Sequence, residues 1–178
     1  MKPVDFKNAT PRLVIEDYFN GKTRASGMFE DRFGNLRRQF TVDITGTWDG
    51  DALVLDEHFL YADGERDRRV WTITKTGPNT YQGHADDVIG SATGQAYGNA
   101  LNWRYEMDLK VGDGTLRVHF NDWMFLQPSG MLLNRARVSK LGVEIGTVTL
   151  AFVKDGFVVT NLPGEQPDAH ATGQAASQ

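Results

Sequence analysis

The chain has 178 residues and a hydrophobic content of 40%, which is long enough for one well-formed core and short for two. Its formal net charge of −4 lacks the concentrated positive field that general nucleic-acid binding requires, so we expect no nucleic-acid partner. The absence of cysteine excludes disulfides, cysteine-based zinc sites, a thiol nucleophile and a lipid-modified cysteine within this sequence.

The first residues lack the long apolar stretch of a signal peptide, and no apolar run reaches the roughly 18 residues of a membrane-spanning helix. We therefore expect a soluble, cytoplasmic protein as the sequence is written. If an export signal has been removed, the same sequence fits a periplasmic or membrane-associated protein. Membrane association stays open, although we expect no anchor in this chain.

One short helix is predicted near the N-terminus, after an extension over residues 1–10. Thr10 before Pro11 is typical of an N-cap followed by proline at the first helical position. Gly21 follows the last apolar pair, Tyr18 and Phe19, as a stop signal. The helix is therefore expected over about residues 11–19.

From Gly21 onward the pattern changes to β-branched and aromatic segments with alternating polarity, separated by turn signals. The turn signals are FGN at 33–35, DGD at 49–51, DGE at 63–65, GPN at 77–79, GDG at 112–114, PSG at 128–130 and DG at 155–156. They predict nine or ten antiparallel strands joined by consecutive hairpins. Such a sheet tends to close, because closure removes its exposed edges. We predict an all-β, up-and-down β-barrel of the calycin (lipocalin-like) type over residues 11–162, followed by a disordered tail over residues 163–178.

Glycine and alanine occupy alternate positions from Gly90 to Ala100. If this face points inward, its small side chains leave room for a ligand. If it points outward or against the helix, it permits close backbone approach or sharp coiling of the strand. Both interpretations remain open.

Several charged residues share a strand face with apolar ones. Asp122 is in line with Val118, Phe120 and Met124, and residues two apart on a strand point to the same side. The same alternation predicts that the following residues also face inward: Glu57, Arg69, Asp87 and Arg135.

This predicted polar set has three interpretations. The first is an internal ion-pair network that fixes strand register. The second is a ligand site, in which Arg69 and Arg135 hold the carboxylate of a fatty acid near Glu57, while Asp122 and Asn134 orient them. Its apolar body would be lined by Trp71, Trp103, Tyr105 and Phe120, with Tyr105 also near the polar end. The third is catalysis by a carboxylate whose pKa burial has raised.

No catalytic residue, metal site or cofactor is predicted. The sequence has no nucleophile elbow, glycine-rich phosphate loop or Ser/His/Asp arrangement, and its four histidines lack metal-ligand spacing. One alternative is heme binding, in which His84 or His119 would supply an axial ligand from the barrel.

Several long motifs resemble those of the bacterial protein family DUF3833, including GNALNWRYEMDL, NDWMFLQ and LLNRARVSKLGVEIGTVTL. The resemblance covers about residues 15–153. It implies a lipocalin-like fold and a lipid-side context, since many members resemble lipoproteins or are encoded near genes for modifying membrane fatty acids, such as cyclopropane-fatty-acid synthase. The motif positions matched here are Trp48, Asp49, Gly50, Arg69, Trp71, Asn99, Trp103, Asp122, Trp123, Asn134 and Arg135.

Three functional hypotheses follow. The first hypothesis is a binding module that holds a fatty acid or another small hydrophobic molecule, in an accessory role in membrane fatty-acid modification or lipid handling. The second hypothesis is an enzyme that acts on an unsaturated or oxidised acyl chain, with Glu57 or Asp122 transferring a proton. The third is an accessory protein that binds a partner through Trp123 or its hairpin tips.

Overall fold

The structure, a computed structural model, describes residues 1–111 and 113–157, so the predicted tail and the last predicted residues of the barrel domain lie outside it. It contains one 3-10 helix, Pro3–Phe6, one α-helix, α1 (Ile15–Tyr18), and ten strands. The strands are β1 (Gly21–Asp31), β2 (Leu36–Trp48), β3 (Ala52–Tyr61), β4 (Arg66–Gly77), β5 (Thr80–His84), β6 (Val88–Tyr97), β7 (Ala100–Val111), β8 (Gly114–Leu126), β9 (Leu132–Lys140) and β10 (Val143–Lys154).

Each strand pairs antiparallel with its neighbours in chain order, and β10 pairs with β1 to close the barrel. The closing register runs from Thr23 opposite Lys154 to Asp31 opposite Gly146. The predicted all-β, up-and-down barrel is therefore confirmed. Within the described residues, no helix has both the length and the apolar character needed to cross a bilayer.

The seven turn signals all fall between strands or directly after β10. Sequence reasoning missed the turns from β5 to β6, from β6 to β7 and from β9 to β10. The last of these contains Leu141 and Gly142, both with positive φ angles of 48° and 78°. Leucine is not a residue typical of such a turn, so this turn could not be predicted from the residue pattern.

The predicted helix over residues 11–19 is wrong in extent. Helix α1 has only four residues, with Val14 in an extended conformation as its N-cap. The backbone N–H of Leu13 donates to the carbonyl oxygen of Gly98 at 2.7 Å, and the Leu13 side chain is buried. Docking on the barrel thus overrides the local Thr10-Pro11 signal, since helix propensity is weaker than tertiary burial.

The N-terminal segment closes one end of the barrel, here called the plugged end. Its side chains Ile15 and Phe19 are buried in the barrel core, and the Tyr18 hydroxyl donates to the carbonyl oxygens of Gly130 and Phe152 at 3.2 Å. Because successive hairpins alternate between the two ends, the turns before β3, β5, β7 and β9 lie here. The turns before β2, β4, β6, β8 and β10 lie at the opposite end, here called the mouth.

The alternating small residues pack against an aromatic side chain. Ala92 and Ala96 are buried, and a Cβ atom added to Gly94 would collide with the indole ring of Trp103. A Cβ atom at Gly83 would meet the same ring. These small residues therefore permit close approach of Trp103, and none of them lines the cavity described next.

Candidate ligand cavity

A cavity of about 370 Å³ occupies the barrel interior between the plugged end and the mouth. Eight of the ten strands line it, together with Ile15 and Phe19 from the N-terminal segment. Its wall is mostly aromatic and aliphatic, and its aromatic residues include Phe40, Phe59, Trp71, Trp103, Tyr105 and Phe120. This volume lies near the lower end of the roughly 300–1,000 Å³ typical of small-molecule sites.

Access to the cavity lies at the mouth. The lining residues Phe29, Tyr61 and Ile145, which are near this end, stay partly exposed. At the plugged end, Ile15 and Phe19 are buried. The interior is thus sealed on one side and accessible on the other.

Five polar residues from different strands line the same cavity, and this group is here called the polar cluster. Strand alternation turns each of them inward, and the barrel brings their strands together. Its members are Glu57 on β3, Arg69 on β4, Tyr105 on β7, Asp122 on β8 and Asn134 on β9.

The charge of Arg69 is balanced by Asp87, which follows β5. The Arg69 Nε and Nη2 atoms donate to Asp87 Oδ2 at 2.9 and 2.8 Å, a two-pronged geometry that suits guanidinium and carboxylate. Glu57 is the direct cross-strand neighbour of Arg69, but the hydrogen bonds go to Asp87. Arg69, the cation of the polar cluster, is therefore already paired with the carboxylate of Asp87.

Glu57 faces the cavity and accepts no side-chain hydrogen bond from the residues that the structure describes. Burial raises its pKa to about 7, with Asp87 adding to the shift and Arg69 opposing it. The surface that Glu57 retains belongs to the cavity wall, so desolvation outweighs the attraction of Arg69. Glu57 is thus partly protonated near neutral pH.

Asp122 is only 5% exposed, and Asn134 only 3%. The Asn134 Nδ2 atom lies 3.5 Å from Asp122 Oδ2, while Oδ1 of each residue lacks a hydrogen-bond partner in the described part of the chain. Burial raises the pKa of Asp122 to about 7, and Glu57 adds to the shift. When Asp122 is protonated, its carboxyl O–H can donate a hydrogen bond. When it is ionised, Oδ1 of Asp122 and Oδ1 of Asn134 are both acceptors without a donor in the described part of the chain.

Tyr105 retains its proton. Its ring stacks on Phe120 at a centroid distance of 4.9 Å and meets Trp71 edge-on at 5.3 Å. Burial raises the pKa of Tyr105 well above its ordinary value, and the negative charge of Asp122 adds to this. The phenol is therefore a neutral hydrogen-bond donor at the cavity wall.

Comparison of the sequence with models of known protein families identifies the family of this chain. The family model described as protein of unknown function (DUF3833) matches residues 1–154. The chain belongs to this family. No curated protein matches it.

The DUF3833 barrel is similar in fold to a solved structure, the S-type phycobiliprotein lyase CPES from Guillardia theta. The TM-score is 0.58 at 8% sequence identity, and the match covers 79% of this chain and 90% of the other. At this identity the likeness concerns the fold alone.

Of the residues proposed from the sequence, eight line the cavity of this DUF3833 protein: Glu57, Arg69, Trp71, Trp103, Tyr105, Phe120, Asp122 and Asn134. The inward orientation predicted for Arg135 is wrong. Arg135 is exposed on the outer wall, because β9 turns Leu132, Asn134 and Ala136 inward. Leu133, the apolar residue on the same face of β9 as Arg135, is itself exposed.

Sequence reasoning missed Arg38 at the mouth. Its guanidinium lies 3.6 Å from the ring centroid of Tyr61 and donates to Glu65 at 2.7 Å. The signal was present, because Arg38 shares strand parity with Phe40 and Val42 on β2. Arg38 and Tyr61 both line the outer part of the cavity.

The positions of the histidines argue against the heme alternative. His84 is exposed, with Nδ1 3.3 Å from the carbonyl oxygen of Gly90. His119 is exposed and lies 3.3 Å from Glu106. Neither lines the cavity, so neither can supply an axial ligand there.

Trp123, proposed as an exposed docking residue, is partly covered by Phe6 at a ring distance of 5.9 Å.

Proposed function

We propose that this DUF3833 protein binds a small hydrophobic molecule, a fatty acid or a lipid-like compound, inside its barrel, in an accessory role in membrane fatty-acid modification or lipid handling. The observation that carries the proposal is a cavity of about 370 Å³ whose mostly apolar wall holds the polar cluster in its interior, with Arg38 at the mouth. Each methylene group moved from water to such a wall contributes about 0.8 kcal/mol. A short or partly inserted acyl chain suits the volume.

The polar cluster sets how a fatty acid would bind. A ligand carboxylate would meet Glu57 and Asp122, and Arg69 is already engaged by Asp87. The pKa values of Glu57 and Asp122, both raised to about 7, mean that these acids become neutral as the pH falls below 7. A fatty acid should therefore bind more tightly at pH 6 than at pH 8, because repulsion between carboxylates is removed.

The proposal can be tested with two fluorescence titrations and one extraction. Trp71 and Trp103 line the cavity and report on its occupation. Dodecanoic acid should change their emission with an affinity that increases from pH 8 to pH 6, whereas dodecanol, which carries no charge, should show little pH dependence. Solvent extraction of the purified protein followed by mass spectrometry should yield a bound lipid. Absence of both a co-purified lipid and a fluorescence response would refute the proposal.

A second candidate is an enzyme that acts on an unsaturated or oxidised acyl chain. It is favoured by two acids, Glu57 and Asp122, whose pKa values of about 7 suit proton transfer at neutral pH. Incubation with an unsaturated fatty acid distinguishes the two candidates by mass spectrometry. A carrier returns the lipid unchanged, whereas an enzyme shifts its double-bond position or its mass, and Glu57→Gln or Asp122→Asn removes that change.

A further inference from the structure

The mouth of the barrel carries a group of exposed apolar side chains. Phe33 is 75% and Leu141 90% exposed, and Leu36 and Val143 beside them are about half exposed. These four residues, here called the apolar lip, lie in the turns of the hairpins β1–β2 and β9–β10 or at the first strand residue after each turn. The two hairpins are neighbours, because β1 pairs with β10 and the Arg32 N–H donates to the carbonyl oxygen of Ile145 at 3.0 Å.

The fold gives no structural reason for a leucine at position 141. It occupies the first position of a two-residue hairpin turn, with φ of 48°, a conformation that asparagine or glycine adopts with less strain. Its side chain also gains almost no burial. A strained backbone position that holds an exposed leucine is a reason to look for a role outside the fold.

Two exposed cations flank the apolar lip, while the acids next to it, Asp31 and Glu144, are paired with Arg37 and Arg137. Arg32 lies 4.7 Å from the ring centroid of Phe33, and Lys140 precedes Leu141. Among the residues that the structure describes, neither Arg32 nor Lys140 forms an ion pair. Apolar tips flanked by free cations match the boundary between acyl chains and phosphate groups at a membrane surface.

The shape of the lip also favours a lipid surface over another protein. The lip consists of four side chains at two turns, far less area than the about 800 Å² per partner of a stable protein interface. Insertion of a few apolar tips into a bilayer needs no matching surface. The lip also borders the accessible side of the cavity, where Phe29 and Ile145 line the entrance.

We propose that the apolar lip docks the barrel on a lipid bilayer, with Phe33 and Leu141 inserted and Arg32 and Lys140 facing the headgroups. In this orientation the mouth faces the membrane, so that a lipid can pass between bilayer and cavity. The proposal goes beyond ligand binding in solution and does not depend on it.

The test is co-sedimentation of the full chain with vesicles of equimolar phosphatidylcholine and phosphatidylglycerol. The wild type should bind, and Phe33→Ser combined with Leu141→Asn should weaken binding by about tenfold or more. Leu141→Asn alone should bind less while leaving the thermal midpoint equal or higher, because asparagine tolerates the positive φ. Val4→Asn, which removes an exposed apolar residue at the plugged end, is the matched control and should bind as the wild type does.

Charge provides a second readout. Arg32→Gln combined with Lys140→Gln should weaken binding to the mixed vesicles more than to vesicles of phosphatidylcholine alone. Failure of the wild type to sediment, or equal binding by the lip variants, would overturn the proposal. A wild-type dimer that the lip variants convert to monomer would also overturn it, since a second copy would then cover the lip. Dodecanoic acid titration without vesicles should be unaffected in the lip variants, which separates this test from that of the proposed function.

Discussion

Two buried carboxylates in this barrel have opposite environments. At the plugged end, Glu16 accepts from Lys75 Nζ at 2.7 Å and from the Tyr81 hydroxyl at 2.9 Å. Burial alone would raise the pKa of Glu16, but these hydrogen bonds hold it below the ordinary value. In the cavity, Asp122 is buried to a similar degree, has an unpaired oxygen and has its pKa raised to about 7 by that burial.

The difference separates structural from functional acids. A buried carboxylate with complete partners stabilises the fold that surrounds it. A buried carboxylate with missing partners costs folding free energy, and it is expected to persist where a ligand or a reaction uses it. On this basis we assign Glu16 to the docking of the N-terminal segment, and Asp122 and Glu57 to the proposed ligand site.

The largest expected effect concerns Glu16. Glu16→Ala leaves the exposed Lys75 ammonium and the buried Tyr81 hydroxyl without their acceptor, so it should lower the free energy of unfolding by about 2–3 kcal/mol, within the range for hydrogen bonds to a charged group. Urea denaturation measures the loss. Asp17→Ala changes the adjacent, exposed acid and should stay within about 0.5 kcal/mol. Equal losses in both variants would show that Glu16 is no different from a surface acid.

A gain is expected at the other acid. Because the folded-state pKa of Asp122 is raised from 3.8 to about 7, the folded protein binds more protons than the unfolded chain between these pH values. Its contribution to stability is complete below about pH 4 and is lost as the pH rises through 7. Asp122→Asn removes this loss, so at pH 8 it should raise the free energy of unfolding by about 1–2 kcal/mol, discounted from 1.36 kcal/mol per pKa unit.

Unfolding free energies at pH 5, 6, 7 and 8 give the slope that checks this prediction. In Asp122→Asn the free energy of unfolding should decrease less between pH 5 and pH 8 than it does in the wild type. The exposed Asp43, paired with Arg24 at 2.9 Å on the outer wall, provides the control Asp43→Asn, whose slope should match that of the wild type. A steeper decline in Asp122→Asn would contradict the assignment.

The cavity itself can be reduced from within. Ala136 is buried and lines the cavity, so Ala136→Leu places three more carbon atoms in the ligand space. Affinity for dodecanoic acid at pH 6 should fall about tenfold, equivalent to about 1.4 kcal/mol. Fluorescence titration measures this. Arg137→Leu adds the same side chain to the outer face of β9 and should leave the affinity unchanged. If both variants bind as the wild type does, the ligand lies elsewhere.

The smallest effect is expected at Arg135. Because the Arg135 side chain is exposed on the outer wall, Arg135→Met should change the free energy of unfolding by less than about 0.5 kcal/mol. It should leave the affinity for a fatty acid unchanged. Arg69→Met provides the contrast, because it leaves Asp87 without its partner inside the barrel mouth. Thermal denaturation and titration of both variants check the pair. A loss of ligand affinity in Arg135→Met alone would reverse the assignment of the two faces of β9.

Strand alternation predicted most of the cavity wall, because a residue's parity decides which side of a sheet it faces. It failed at β9, where Leu132 and Leu133 are both apolar and only one of them faces the core. It could not tell that Arg69 bonds Asp87 instead of its cross-strand neighbour Glu57, because Asp87 lies in a turn whose path alternation does not describe. The extended conformation of the N-terminal segment before α1 was not predicted for a related reason, since it depends on contacts with distant residues such as Gly98.

The pairing of β1 with β10 joins residues that are far apart in the chain, with Thr23 opposite Lys154. Until β10 has been synthesised, β1 and β9 each present an unpaired edge, and the barrel interior is open along one side. Contacts of such long sequence separation form late and slowly in folding. The binding compartment therefore comes into existence in one final step, and a nascent chain halted before β10 has a sheet that can pair with other chains but no enclosed space to fill.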